Sequence, residues 1–405
     1  MGPSRSSARL PAVVAFAIIA AVSGAALLAH AERTGLVQRD GGLAAQRPER
    51  LFGALLLAAF VGYVVAMVLT TRASFRLRVA IVVAIVIQTV PLTAPVLLST
   101  DAWTYWGYGW IAADGGNPYR EPPSAYPESP AAAHLGAAWR ETTTVYGPAF
   151  TGASELVARA VGSSPDAAGW AFKTLAAAAA IAATLLAAAL ARSPTLAVVA
   201  VGWNPLLAVH AAGGGHNDAW VGALALAAVL AARRARPAAE GALWTLAVAV
   251  KWVPVVLLPL RLAAARSRRL VTSLALTAGG IVALASMRYG SGWVEAITPL
   301  ARNAATKTSY AFPARLEQLG APSTAALGVV SAVLVAGYVC LVRLAASGKP
   351  RYGLGACLTL LSTPYLAVWY LGWAVPLAAV DDEDRLPLVL ATALGAYLLP
   401  QAVPL

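Results

Sequence analysis

Long apolar runs alternate with short polar stretches bearing arginine along the whole chain. The first run, Leu10 to Leu28, follows Arg5 and Arg9 and leads to a polar stretch opening at Glu32. Ala29-His30-Ala31 has the small-residue pattern of a signal-peptide cleavage site. The run nevertheless exceeds the ~7–15 residues of a usual signal-peptide core, so a retained first helix is predicted. A second run, 51–70, ends in TTRASFRLR (70–78), and a third occupies 79–98. Cytoplasmic loops carry the excess of Lys and Arg. Segment 51–70 therefore runs inward, 79–98 runs outward, and Asp101 falls at the outer face. Further helices are predicted at 168–191, 195–212, 218–232, 270–287 and 323–345, with a last one after DDEDR (381–385).

Three stretches break this pattern. Residues 101–146 are rich in Pro, Gly and aromatics, too polar to span, and read as an external loop with short helices in the interface, where Trp and Tyr concentrate. Residues 147–163 are short and hold Glu155 and Arg159, so an interfacial or re-entrant segment is predicted. Between RRAR (233–236) and RSRR (266–269) both flanks are basic, so the intervening run must enter and return. Two half-length helices broken at Lys251-Trp252-Val253-Pro254 achieve this, because Pro254 has no amide donor. A similar hairpin is expected through STPYLAVWYLGW (362–373). The whole reads as about twelve apolar segments against the ~20 residues that a spanning helix needs. They form one integral-membrane domain over 1–405, with external loops at 99–163 and 288–322.

Composition agrees. The chain of 405 residues is 59% hydrophobic and 12% charged, where soluble domains carry about a quarter charged residues. An all-α, polytopic membrane protein is predicted. The net charge of +12 is explained by short cytoplasmic loops, and no soluble fold presents a basic patch, which argues against nucleic acid as a partner. Cys340 and Cys357 lie inside apolar segments and indicate neither a redox compartment nor a metal site.

Candidate chemistry gathers on one predicted face. In STDAWTYWGYGW (99–110) a lone carboxylate, Asp101, opens ten positions that hold five aromatic residues. GGNPY (115–119), VYGP (145–148) and GGGHND (213–218) map to the same outer side. Aromatic faces stack on sugar C–H surfaces and a carboxylate accepts a hydroxyl proton, so a site for a sugar and a lipid headgroup is expected. Lys251, within LWTLAVAVKWVPVVLLPL, is costly in hydrocarbon unless it meets a partner, a cavity or the interface. Snorkelling to headgroups is the simpler account; presenting an ammonium to a lipid-borne phosphate is the functional one. His210, His216, Asn217 and Asp218 lie near a glycine-rich turn. No third and fourth metal ligand appears at matching spacing, and hydrogen bonding to sugar hydroxyls fits better. YLAVWYLGW (365–373) reads as an aromatic belt.

Taken in order, STDAWTYWGYGWIAADGGNPY, VYGPAF, WNPLLAVHAAGGGHNDA and VKWVPVVLLPL resemble the bacterial integral-membrane mannosyltransferases that use polyprenyl-phosphate mannose, and among them the α-(1→6) enzymes that extend cell-envelope mannan. The resemblance covers most of 95–260, and it implies GT-C architecture. It further implies a polyprenyl-phosphate mannose donor, a glycolipid or lipoglycan acceptor, inversion at the anomeric carbon, no metal or other cofactor, and an active site on the external face of the plasma membrane. By the same resemblance Asp101 is the catalytic base. Lys251, helped by Arg302, Lys307 and Arg315, matches the donor phosphate. Tyr105, Asn117, Tyr119, Tyr146, His216, Asn217 and Asp218 contact the sugars. Many relatives carry a second acidic residue or Arg beside the base, where this chain has Thr100 and Ala102. Acceptor recognition is expected from the loops, since no sizeable soluble C-terminal domain is seen. Two alternatives stand beside this reading: a transferase of the same fold using lipid-linked arabinofuranose or glucose, and a transporter or flippase of lipid-linked saccharides. The second is disfavoured because no internal repeat is visible and the polar groups gather at one face.

Overall fold

The computed structural model describes residues 5–33, 35, 47–72, 76–264 and 267–402, and every regular element among them is a helix. Among the described residues five helices are long and apolar enough to cross a membrane: Leu10–Ala31, Pro48–Thr70, Pro165–Leu190, Arg268–Tyr289 and Ser323–Ala346. A sixth crossing arises if Pro194–Gly202 and Pro205–Gly213, bent by 50°, are counted as one. Among the described residues there are also six shorter apolar helices of 10–17 residues, the last three of them following Ala346. The expected count of about twelve thus holds for apolar stretches, whereas only five or six have the length for ~30 Å of hydrocarbon. Proline explains much of the shortening. The predicted 79–98 helix runs only over Leu77–Thr89, tightens into a 3-10 turn at Val90–Thr93 that contains Pro91, and stops before Pro95.

Contacts divide the chain into two compact units, Met1–Thr100 with Phe172–Leu226 and Leu371–Leu405, and Asp101–Ala171 with Ala227–Tyr370. In the first unit the helix Arg5–Ala31 packs along Arg47–Thr70. The predicted helix over 195–212 is interrupted at Trp203-Asn204. Pro205 supplies no N–H, and Asn204 takes extended angles (φ −69°, ψ 112°) in which its Oδ1 accepts from the amides of Leu206 (3.0 Å) and Leu207 (3.3 Å). Groups freed at the break are not left bare: Gln88 Nε2 donates to the Gly202 carbonyl at 3.1 Å, and the Tyr63 hydroxyl to that of Ala200 at 3.0 Å. Lys173, only 2% exposed, closes the shortened helix before it. Its ammonium donates to the carbonyls of Leu92 (3.1 Å), Ala94 and Pro95 (3.4 Å).

The second unit is built on two helix pairs. Asp101–Ala113 packs on Pro148–Val161, close enough that a Cβ on Gly109 would lie 2.1 Å from the Ser154 carbonyl oxygen. Pro237–Val250 packs on Arg268–Tyr289. After Val250 the chain breaks at Lys251, which is extended (φ −151°, ψ 134°), turns through Val253–Leu257, and returns as Leu258–Ala264. Glu240, near the start of the outgoing arm, pairs with Arg261, near the end of the returning one. The two arms therefore begin and end together. A 14-residue arm rises about 21 Å, short of the hydrocarbon thickness, so Lys251 sits at the tip of a hairpin.

Candidate functional site

Asp101 is the first residue of its helix, in the turn where the helix dipole favours negative charge. It is 6% exposed, and the Tyr105 hydroxyl one turn on donates to its Oδ2 at 3.2 Å. Tyr105 meets Tyr146 edge-on at 5.0 Å and Phe150 at 4.8 Å, and Tyr146 and Phe150 lie 5.4 Å apart. This is an aromatic collar with the geometry that ring quadrupoles prefer. Burial first, and then the Tyr105 hydroxyl and the Asp101 charge, hold the Tyr146 hydroxyl well above its ordinary range. Tyr108 is raised by burial and by Asp101, and its hydroxyl donates to the Thr142 carbonyl at 2.7 Å.

The collar is stitched to the hairpin tip. Trp252 Nε1 donates to the Val145 carbonyl at 3.1 Å, and the Gly147 amide to that of Val250 at 3.2 Å. No side chain fits at Gly147, where a Cβ would stand 2.1 Å from the Ala249 carbonyl oxygen. Tyr146 lies between these two stitches, in a segment bonded to both chain neighbours of Lys251.

A third segment completes the enclosure. The Lys251 ammonium stands 4.9 Å from the centre of the Tyr370 ring, and the Tyr370 and Tyr365 rings are 6.5 Å apart. Burial, with Asp101's charge adding to it, pushes the Tyr365 hydroxyl up to about 12. Thr308 fixes this segment. Its amide donates to Pro364 O (3.0 Å), its hydroxyl donates to Leu366 O (2.9 Å), and the hydroxyl accepts from the Leu366 amide (3.0 Å). Within YLAVWYLGW, read from the sequence as an aromatic belt, the structure places Tyr370 against Lys251 with Tyr365 beside it. The available signal was the pair of tyrosines following Pro364 in an otherwise spanning composition.

The other expected residues fall in several places. Asn117 is occupied structurally: its Nδ2 donates to Tyr289 O at 2.8 Å and its Oδ1 accepts from the Tyr119 amide at 3.1 Å. The Tyr119 hydroxyl bonds Thr151 Oγ1 (2.9 Å) and Tyr146 O (3.2 Å) beneath the collar. Arg302 is exposed on the amphipathic helix Ile297–Ala305. Lys307 pairs with Glu317, whose carboxyl it holds below the usual range, and it also lies 2.5 Å from Ser323 Oγ. Arg315 donates to Gln318 Oε1 at 2.7 Å and covers the Tyr310 ring at 4.5 Å.

His216, Asn217 and Asp218 belong to the first unit, at the start of the helix Asp218–Arg233, and all three are buried. The His210 and His216 rings lie 5.5 Å apart. The Asn217 side-chain amide makes no hydrogen bond to the described residues, and a buried amide of that kind is costly unless something arrives to meet it. Among the described residues no group of three or more His, Cys, Asp or Glu is placed to hold a metal ion.

Two family models match this chain. One, described as alpha-(1→6)-mannopyranosyltransferase, N-terminal domain, matches residues 10–266. The other, described as glycosyltransferase family 87, matches residues 145–400. No curated protein and no solved structure matches.

Proposed function

We propose, for a chain that belongs to the alpha-(1→6)-mannopyranosyltransferase family and is a membrane mannosyltransferase, a polyprenyl-phosphate mannose donor and a cell-envelope glycolipid or lipoglycan acceptor, joined at the external face of the plasma membrane. The acceptor hydroxyl oxygen attacks the anomeric carbon as the bond from that carbon to the phosphate oxygen breaks. The bonding pair leaves on the polyprenyl phosphate, and the hydroxyl proton passes to Asp101. One in-line displacement turns a β-linked donor into an α-linked product. Lys251 faces the charge that grows on the leaving phosphate. That group carries a single phosphate, which a cationic side chain matches without a metal. Tyr365, with its pKa near 12, stays protonated at neutral pH and serves as a hydroxyl donor.

The observation that carries this reading is convergence. Asp101 and Lys251 are far apart in the chain, yet the segment that sets Tyr146 against the Asp101 helix is bonded through Val145 and Gly147 to both chain neighbours of Lys251, and Lys251 faces Tyr370. Membranes carrying Asp101→Asn, supplied with labelled polyprenyl-phosphate mannose, should lose transfer at an unchanged protein level. Turnover close to wild type would remove Asp101 from its role. Linkage analysis of the wild-type product tests the α-(1→6) assignment separately, and parallel incubations with lipid-linked arabinofuranose and glucose test the sugar.

A further inference from the structure

The tyrosines around Asp101 and Lys251 divide by accessibility. Tyr105, Tyr108 and Tyr119 are each 1% exposed and Tyr146 is 5% exposed. The rings of Tyr105, Tyr108 and Tyr146 are taken up by one another and by Phe150, and that of Tyr119 by Tyr289. A saccharide stacks its C–H face on an open aromatic surface, and these four offer little. Tyr365 and Tyr370 are only partly buried, as is Lys251. They are also held in place: Thr308 makes three hydrogen bonds to the backbone of Pro364 and Leu366, on either side of Tyr365. Rigid support of this kind is what a contact surface needs, because a ring already fixed loses little entropy on binding.

We propose that Tyr365 and Tyr370 form the sugar-contacting wall of this site, with Tyr370 holding the Lys251 ammonium in register for the donor phosphate and Tyr365 stacking on the transferred pyranose. The proposal rests on the donor reading above. It moves sugar contact from the first external loop to the 365–370 segment and leaves Tyr105 and Tyr146 as the packing that sets Asp101. The two rings have different duties. At 4.9 Å the Tyr370 ring engages a cation through its quadrupole, a property of the ring alone that phenylalanine shares. Tyr365 adds a hydroxyl within the field of Asp101.

The test is steady-state kinetics on purified protein in nanodiscs, with donor and acceptor varied independently and an unfolding temperature recorded for each variant. Tyr365→Leu should raise KM for the lipid donor about tenfold, the size of a lost ring contact, with kcat held within about twofold. Tyr365→Phe should recover the ring's share of that loss and leave a residual rise in KM of about threefold from the missing hydroxyl. Tyr370→Leu should weaken donor use, Tyr370→Phe should restore most of it, and Tyr370→Leu added to Lys251→Ala should do no further harm, since coupled residues are not additive. Unchanged donor KM in Tyr365→Leu overturns the proposal. So does a parallel fall in kcat, acceptor use and unfolding temperature, which marks packing alone. If wild-type protein fails to turn over polyprenyl-phosphate mannose, the donor reading falls by itself, and the wall is scored with whichever labelled lipid-linked sugar the wild type uses.

Discussion

Glu240 and Arg261 clasp the two arms of the interrupted segment, with Arg261 Nη2 3.0 Å from Glu240 Oε2 and Arg261 Nε bonding Oε1. Glu240 is 1% exposed. A two-pronged pair in that setting is more costly to halve than to replace entirely. Glu240→Gln should destabilise the protein by about 3 kcal/mol, because it strands a partly buried guanidinium. The double change Glu240→Leu with Arg261→Met should recover most of the loss. Thermal unfolding in detergent reads both, and equal damage from the single and double variants would contradict the prediction.

Lys251→Ala should weaken use of the lipid-phosphate donor while leaving the unfolding temperature near wild type. Lys251→Arg should retain part of the activity, since the charge survives but its shape changes. Donor titrations on membranes from each variant decide. Identical donor dependence in wild type and Lys251→Ala would return the residue to snorkelling.

Gly147 and Gly279 make an informative pair. A Cβ at Gly147 would stand 2.1 Å from the Ala249 carbonyl oxygen, whereas one at Gly279 meets nothing within 4 Å. Gly147→Ala should destabilise by about 1–3 kcal/mol through forced movement of backbone and should depress transfer, because that backbone carries Lys251. Gly279→Ala, mid-helix, should be neutral or stabilise by up to about 1 kcal/mol. Unfolding temperatures of the two variants side by side test this.

Burial raises the Glu155 carboxyl, but Arg159 and Arg288 outweigh it and hold the group below the usual range. A carboxyl depressed in the folded state stabilises above its unfolded pKa of about 4.3. That stabilisation is lost as pH falls through the folded value. Glu155→Gln should therefore lower stability at neutral pH and flatten its decline below about pH 4.3. Unfolding temperatures measured from pH 7 downward check the sign.

Much of the architecture was legible because arginine placement and apolar length are strong, local signals. The return of the chain at Lys251-Trp252-Val253-Pro254 followed from two basic flanks and one proline. The break at Trp203-Asn204 was missed although Pro205 marks it, because the surrounding composition reads as one continuous span and the compensating donors, Tyr63 and Gln88, lie on distant helices. The site divides in the same way. Asp101 and Lys251 announce themselves as charges where charge is expensive. Tyr365 and Tyr370 do not, since aromatic residues at a membrane edge are ordinary, and only their spacing from Lys251 and from each other sets them apart. Asn117 and Tyr119 sit in a polar, aromatic loop that promises ligand contacts, yet their hydrogen bonds hold the loop itself.

Lys173 alters how the chain's orientation should be reckoned. It stands near the start of the span Pro165–Leu190, where a charge-bias rule would weigh it with the loop cations. Its ammonium is enclosed by three main-chain oxygens and shielded from anionic headgroups, so it casts no vote for either leaflet. Swapping it for methionine would leave insertion direction untouched and would instead loosen the turn that precedes Asp101.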